Sequence, residues 1–298
     1  MHSYLRAIGF SEIIDRIDLE RLLGIIIEQP TEKKIYNMPN NKLFVEITKM
    51  FSKQMGITLR GEIDSEGKFY MEHYFPYFKS QYMSTKEETS IIKRVDTEAY
   101  TGMCDDIRLG VSLIFYLQNV VDYLIEGKNK NQTDRALPIY LSALSITGKI
   151  ILPMELDEKL AKNNTADVQY RRQLIAEAKK GNQEAIDSLT IDDIDMYAMI
   201  SRRAKVEDIY TIVETSFTPY GSESDNYTVL GTIVDMDVLT NEVTSEEVYS
   251  LMISSNDVIF QVAINKKDLL GEPVVGRRFK GNIWLQGIID FNSDKCLN

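Results

Sequence analysis

The side chains in this chain that could do chemistry are carboxylates, two histidines and two cysteines, and their spacing gives each little support. Carboxylates stand close together at Asp105-Asp106, at Asp192-Asp193-x-Asp195 and at Asp235-x-Asp237. Such pairs can hold a divalent ion or divide acid and base roles between them. None of these pairs has a third ligand close by, and Asp192 and Asp193 fall at the expected start of a helix, where the dipole favours negative charge. They read as solvated turn or edge charges. His2 and His73 are too few for a multi-histidine metal site. His73 shares an expected strand face with Phe69, Met71 and Phe75, which reads as a packed imidazole rather than a general base. Cys104 is followed by Asp105 and Asp106, which disfavour a thiolate. There is no nucleophile elbow, phosphate loop, dinucleotide turn or His-Glu-x-x-His helix. Neither a metal nor a cofactor is expected, and no residue is assigned a catalytic role. The aromatic run Tyr70, Tyr74, Phe75, Tyr77, Phe78 and Tyr82 reads as strand packing, with Tyr74 as its exposed ring.

The one Trp is more informative. From Phe279 to Phe291 alternate residues form an apolar face: Phe279, Gly281, Ile283, Leu285, Gly287, Ile289 and Phe291. The opposite face carries Arg278, Lys280, Asn282, Trp284 and Gln286, with Arg277 just before it. A period of two with one apolar side is a half-buried strand. Trp284 therefore lies among cations and amides on the side that should be wet. Arg277, Arg278, Lys280, Asn282, Trp284 and Gln286 form the candidate binding face, with two uses. Trp284 could stack a ligand while the cations hold an anionic group, or it could close an interface against another domain or subunit. The interface is preferred, because acids outnumber bases over 226–291 and leave no electropositive funnel.

The elements that must position this face follow from periodicity. An amphipathic helix is expected over 10–28 with Ser11 as its cap. A strand follows near Leu43–Ile47, then a hairpin of 57–63 with 68–78 around Asp64-Ser65-Glu66-Gly67. Alternation over 105–119 and an apolar stretch at 137–152 add further strands. Residues 155–206 read as helices, with Gly181 as a C-cap and a new start at Thr190. Strands resume at 209–217 and 227–239, the second switching face near Val234, which predicts a bulge. Two more strands meet at Ser254-Ser255-Asn256-Asp257 before the closing one. The expected fold class is α+β: an N-terminal antiparallel sheet with a helix over 1–152, a helical connector over 153–206, and a small OB-like β-barrel over 207–298.

With 298 residues, 44% hydrophobic and 27% charged, the composition is that of an ordinary globular protein. A formal charge of −11 weighs against nucleic acid as a partner. No window approaches a membrane span, and two distant cysteines without a leader-like start give a cytoplasmic expectation.

Three strings carry a resemblance: His2 to Phe10, Gly102 to Asn119, and Asp268 to Pro273 with Gly276 to Gly287. Together they resemble a bacterial family known only as a domain of unknown function. The resemblance implies a cytoplasmic bacterial protein and carries over no substrate or catalytic residue. The expected function is a non-catalytic binding or interaction module whose partner is a protein or its own second domain, with an oligomer allowed. The alternative is a hydrolase-like enzyme using carboxylates such as Asp105, Asp106 and Glu72 in an N-terminal cleft.

Overall fold

In a computed structural model, described here for residues 2–38, 42–95, 99–106, 108–109, 111–127, 136–153, 170, 173–174, 176–178, 180–203, 205 and 209–292, the chain is mixed α+β and mostly strand. A four-stranded antiparallel sheet contains β1 (Glu32–Asn37), β2 (Leu43–Met50), β3 (Met55–Ile63) and β4 (Phe69–Phe78) in sequential order. Its helix is α1 (Arg16–Glu28), capped by Asp15, whose side chain accepts from the Asp18 amide. Ser11, the expected cap, is engaged elsewhere. Its hydroxyl donates to Glu246, and Gly9 at φ +87° turns the chain before α1 can begin.

The second sheet has eleven strands. The chain enters it through β5 (Thr85–Glu87), β6 (Thr89–Lys93), β7 (Tyr100–Asp106), β8 (Val111–Leu117) and β9 (Leu137–Ile151). It returns through β10 (Ser216–Pro219), β11 (Asn226–Thr240), β12 (Glu247–Ser255), β13 (Val258–Asn265), β14 (Leu269–Leu270) and β15 (Arg278–Ile289). The two long strands bind these halves together, since β15 runs antiparallel to β9 from Arg278↔Ile151 to Ile289↔Ile139. Residues on either side of 152 and 207 thus share one sheet, and those positions do not separate two sheets. β11 pairs β12 through its second half and β15 through its first. The ladder β11–β12–β13–β9–β15 therefore returns to β11.

The expected bulge is at Val234, where the β11–β12 register shifts between Ile233 and Asp235. Asn256 and Asp257 adopt positive φ at the tip of the β12–β13 hairpin, the geometry of a two-residue turn. Three segments depart from expectation. Ile209–Ile212 is a helical turn rather than a strand, and the helix expected to begin at Thr190 runs from Gln183 to Arg203. The Asn182 side chain accepts from the Glu184 amide at its start, and the Thr190 hydroxyl donates back to the Ile186 carbonyl within it. The alternation over 105–119 breaks at a turn, and β8 begins only at Val111. Asp106 takes the Arg108 guanidinium there. Much of the expected connector, 154–169, lies outside the described residues. Among the described residues no helix is long and apolar enough to cross a membrane.

Candidate functional site

The closing strand does not present its polar side as one surface. The Arg278 guanidinium, 3% exposed, donates to the carbonyls of Leu152, Val213 and Tyr210, locking the turn at 209–212 in place. Lys280 donates to the Tyr210 hydroxyl, and Arg277 donates to the Glu272 carbonyl. Asn282 accepts from the Thr228 hydroxyl at 2.8 Å. Gln286 is fully buried between the sheets, accepting from the Gln118 side chain and donating to the Pro76 carbonyl. Of the six, Trp284 lines the cleft described next.

Trp284 is 6% exposed and sits at the seam of the two sheets. Its indole N–H donates to Asp225 at 3.0 Å. Ring centroids of His2, Tyr116 and Tyr4 lie 4.8, 5.0 and 5.4 Å away. Beside it opens a cleft of about 220 Å³, lined in part by His2, Tyr4, His73, Arg94, Asn226 and Asp225. Each wall has a sequence-local cause. The 3-10 turn Ser3–Ile8, held by Gly9, lays His2 and Tyr4 across the seam. Asn226 opens β11 directly opposite Trp284 on β15. Arg94, at the end of β6, donates to the buried Asp225 at 2.5 Å. The only two histidines and the only Trp thus converge on one cavity.

Behind the cleft runs a chain of buried polar groups. Arg60, with no exposed surface, donates from Nε to Glu46 at 2.8 Å and from Nη1 to the Tyr116 hydroxyl at 2.9 Å. Its Nη2 reaches the Leu117 and Gln118 carbonyls, and its plane lies 4.5 Å from the Phe75 ring centroid. Tyr116 in turn lies 3.1 Å from His73 Nε2. Sequence alternation placed His73 on one face with Met71, but the register shifts between Arg60 and Gly61, leaving Glu72 as an extra residue. The bulge turns His73 inward beside Phe75 while Met71 faces out, 41% exposed. Gly61 permits it, because a Cβ there would sit 2.0 Å from the Tyr70 carbonyl oxygen.

The electrostatics follow from burial. Desolvation, with the charge of His73 adding to it, lowers His2 to about 4, and desolvation with Arg60 and Arg94 lowers His73 to about 4. Both are neutral at pH 7. Burial pushes Tyr4 up to about 12. Burial also raises Glu46 while Arg60 pulls it back; the guanidinium at 2.8 Å keeps the pair charged in our reading, since a neutral Glu46 would strand a buried cation. Two atoms of residues that line the cleft, His2 Nδ1 and Asn226 Oδ1, are buried and have no hydrogen-bond partner.

A second cleft of about 230 Å³ lies on the far side of Arg60, lined in part by Glu32, Lys34, Glu46, Tyr77, Gln118 and Asp122. Lys34 bridges to Asp122 at 2.8 Å, and Tyr77 Oη and Gln118 Oε1 are unpartnered. Of the carboxylates weighed in the sequence, Asp106 is held below its usual range because the hydrogen bonds and charge of Arg108 outweigh desolvation. Asp105 accepts from Ser112, and Asp237 pairs with Lys53 at 2.8 Å. Among the described residues no three His, Cys, Asp or Glu converge as a metal site. Cys104 is buried, its thiol raised to about 12 by desolvation and neighbouring acids.

Sequence reasoning missed Arg60, Glu46, Tyr116, Asp225 and His2. A usable signal existed in the convergence of rare residue types, but nothing in local spacing links residue 2 to residues 73 and 284. A profile of the family described as "Domain of unknown function, E. rectale Gene description (DUF3881)" matches residues 5–287, and the chain belongs to that family. No curated protein and no solved structure matches the chain.

Proposed function

We propose that the protein is a cytoplasmic, non-catalytic binding module whose site is the cleft beside Trp284. The observation that carries this reading is the convergence of Trp284, Tyr4, Tyr116 and both histidines around one cavity, with two buried atoms of its lining residues, His2 Nδ1 and Asn226 Oδ1, left without a partner. An unpaired buried polar atom costs about 1–3 kcal/mol, a cost that a small rearrangement of these side chains on binding would relieve. The returning ladder of β9, β11, β12, β13 and β15 supports an OB-like barrel as the frame. On this reading Trp284 serves both of its expected uses, closing the seam with its buried rim and walling the cleft with the rest. The cleft is smaller than the roughly 300–1,000 Å³ of drug-sized sites, which favours a small ligand over a protein surface. A thermal-shift screen against uncharged and charged small metabolites tests it, with Asn226→Leu as the control. A compound that raises the melting temperature of the native chain and not of the variant supports the reading. Shifts equal in both, or no shift from any compound, count against it.

One observation favours the enzymatic alternative: the buried Glu46 carboxyl, raised by desolvation, faces the second cleft with Asp122. Turnover of any substrate that Glu46→Gln abolishes would promote this reading over the first.

A further inference from the structure

Two of the cations that alternation grouped with Trp284, Arg278 and Lys280, meet at Tyr210 instead. Lys280 on β15 stands directly opposite Lys149 on β9, so both side chains leave the same face of the sheet. Lys280 donates to the Tyr210 hydroxyl, and its Nζ lies 4.7 Å from the centre of that ring. Lys149 Nζ lies 4.9 Å from the same centre. Two ammonium groups are thus drawn to one phenol. Arg278 fixes the backbone beneath it, donating to the Tyr210 carbonyl at 2.7 Å. None of these residues lines the cleft beside Trp284.

Like charges directly opposite on paired strands destabilise a sheet, and a neighbouring carboxylate is the ordinary remedy. Carboxylates are plentiful in a chain with 45 acidic and 34 basic residues. Lys34, Lys42, Lys53, Lys266 and Lys267 each have one within 2.9 Å. Among the described residues, Lys149 and Lys280 have none. Their charge is felt at the phenol. The hydrogen bond from Lys280, with the charges of Lys280 and Lys149 added, outweighs desolvation and holds Tyr210 below the ordinary tyrosine range. Lys149 is exposed and Lys280 half-buried, and an ammonium carries three N–H groups, so both keep donors for a further partner.

We propose that Lys149 and Lys280 form an anion site for a phosphate group, separate from the Trp284 cleft. A dianion matches two cations in charge, and a tetrahedral one can turn a different oxygen to each ammonium. A carboxylate brings a single charge and leaves half of the pair unanswered. Lysine holds phosphate as a point charge, so the site selects for charge and not for the group the phosphate is attached to. Free phosphate and a phosphomonoester both meet that requirement.

Isothermal titration of the full chain at low ionic strength with inorganic phosphate, glycerol 3-phosphate and acetate tests it. Inorganic phosphate should bind saturably and at least about tenfold more tightly than acetate, because its second charge engages the second lysine. Tighter binding of glycerol 3-phosphate than of inorganic phosphate supports the site as one for phosphomonoesters, and the reverse order supports it as one for the free ion. Lys149→Gln and Lys280→Gln should each weaken phosphate binding about tenfold, the loss expected for one hydrogen bond to a charged group. Lys33→Gln, at an exposed lysine of β1 in the other sheet, makes the same change in net charge and should leave the affinity unaltered. Melting without phosphate separates a binding site from a structural contact. Relief of the like-charge pair should leave Lys149→Gln melting at or above the native temperature, whereas a lysine needed to hold the turn at 209–212 would make it melt lower. The proposal is overturned by unsaturable phosphate binding, by acetate binding as tightly as phosphate, by an equal loss from Lys33→Gln, or by a lower melting temperature for Lys149→Gln.

Discussion

The interior of the ladder formed by β9, β11–β13 and β15 and the seam between the two sheets are both buried, yet they are built from opposite materials. The ladder interior is packed by Val229, Ile233, Leu251, Phe260, Val262, Phe279, Ile283 and Leu285, side chains with nothing to satisfy but volume. The seam holds Arg60, Glu46, Tyr116, His73, Asp225 and Arg94 among aromatic rings, each needing a specific partner. An apolar core tolerates small volume changes at about 0.5–1.5 kcal/mol, whereas a buried ion pair stripped of one member costs about 3–5 kcal/mol. The difference teaches where specificity has been placed. The buried atoms left without a partner, His2 Nδ1 and Asn226 Oδ1 among them, belong to the seam and not to the ladder interior.

Breaking the seam should therefore cost more than trimming the core. Arg60→Met leaves Glu46 buried without its cation and the Tyr116 hydroxyl without its donor, so a loss of about 3–5 kcal/mol is expected by urea unfolding. The double variant Arg60→Met with Glu46→Met should recover much of that loss, because no charge is then stranded. If the single and double variants are equally unstable, the seam is held by packing alone. Trp284→Ala should cost a similar amount, about 3–5 kcal/mol, since it empties a ring-sized space packed by His2, Tyr4 and Tyr116. By contrast Ile283→Val on the neighbouring position of β15 should cost only about 1 kcal/mol, with no effect on the cleft.

Acid sharpens the comparison, because the titratable histidines belong to the seam. Both have folded-state pKa values of about 4 against an ordinary 6.5. The unfolded chain thus binds more protons between these limits, and stability contributed by the neutral rings is complete above about 6.5. It is lost as pH falls toward 4, by up to about 2.7 kcal/mol per pH unit if both rings titrate together, and changes no further below that. Replacing both histidines by Asn should flatten the difference between pH 6.5 and 4. Depressed carboxylates such as Asp106 and Glu246 remain in both proteins, so the comparison isolates the rings.

The same contrast explains what the sequence made readable. Alternation marked Phe279, Ile283 and Leu285 as inward and placed the Val234 bulge, because apolar burial leaves a period of two in the string. It identified Trp284 as anomalous, and the anomaly is real: the ring is buried on the side that alternation called wet. Alternation could not tell that Arg278 and Lys280 end on the turn at Tyr210 while Gln286 ends on Gln118, because those partners are distant in sequence. Glu46 and Arg60 were invisible for the same reason. In strands flanked by Val45, Ile47 and Leu59 a charged residue on the alternate face looks solvated, and only the second sheet makes it interior. The Ser11 cap failed through a tertiary bond to Glu246, and the strand expected over 209–217 forms only from Ser216, because Arg278 claims the carbonyls of Tyr210 and Val213. Local pattern yields to distant hydrogen bonds in each case.

The smallest expected energy change bears most directly on the central claim, that the polar atoms left unpaired in the seam do not serve the fold. Asn226→Leu removes an acceptor that nothing satisfies and replaces it with a side chain of similar size. The measurement is the melting temperature of the ligand-free variant beside that of the native chain. The account predicts an unchanged or slightly raised value, a gain of no more than about 1 kcal/mol, as when a site's cost to stability is relieved. A fall equivalent to more than about 1 kcal/mol would contradict it, showing that Asn226 is needed to hold the fold and that the cleft is only a gap in its packing.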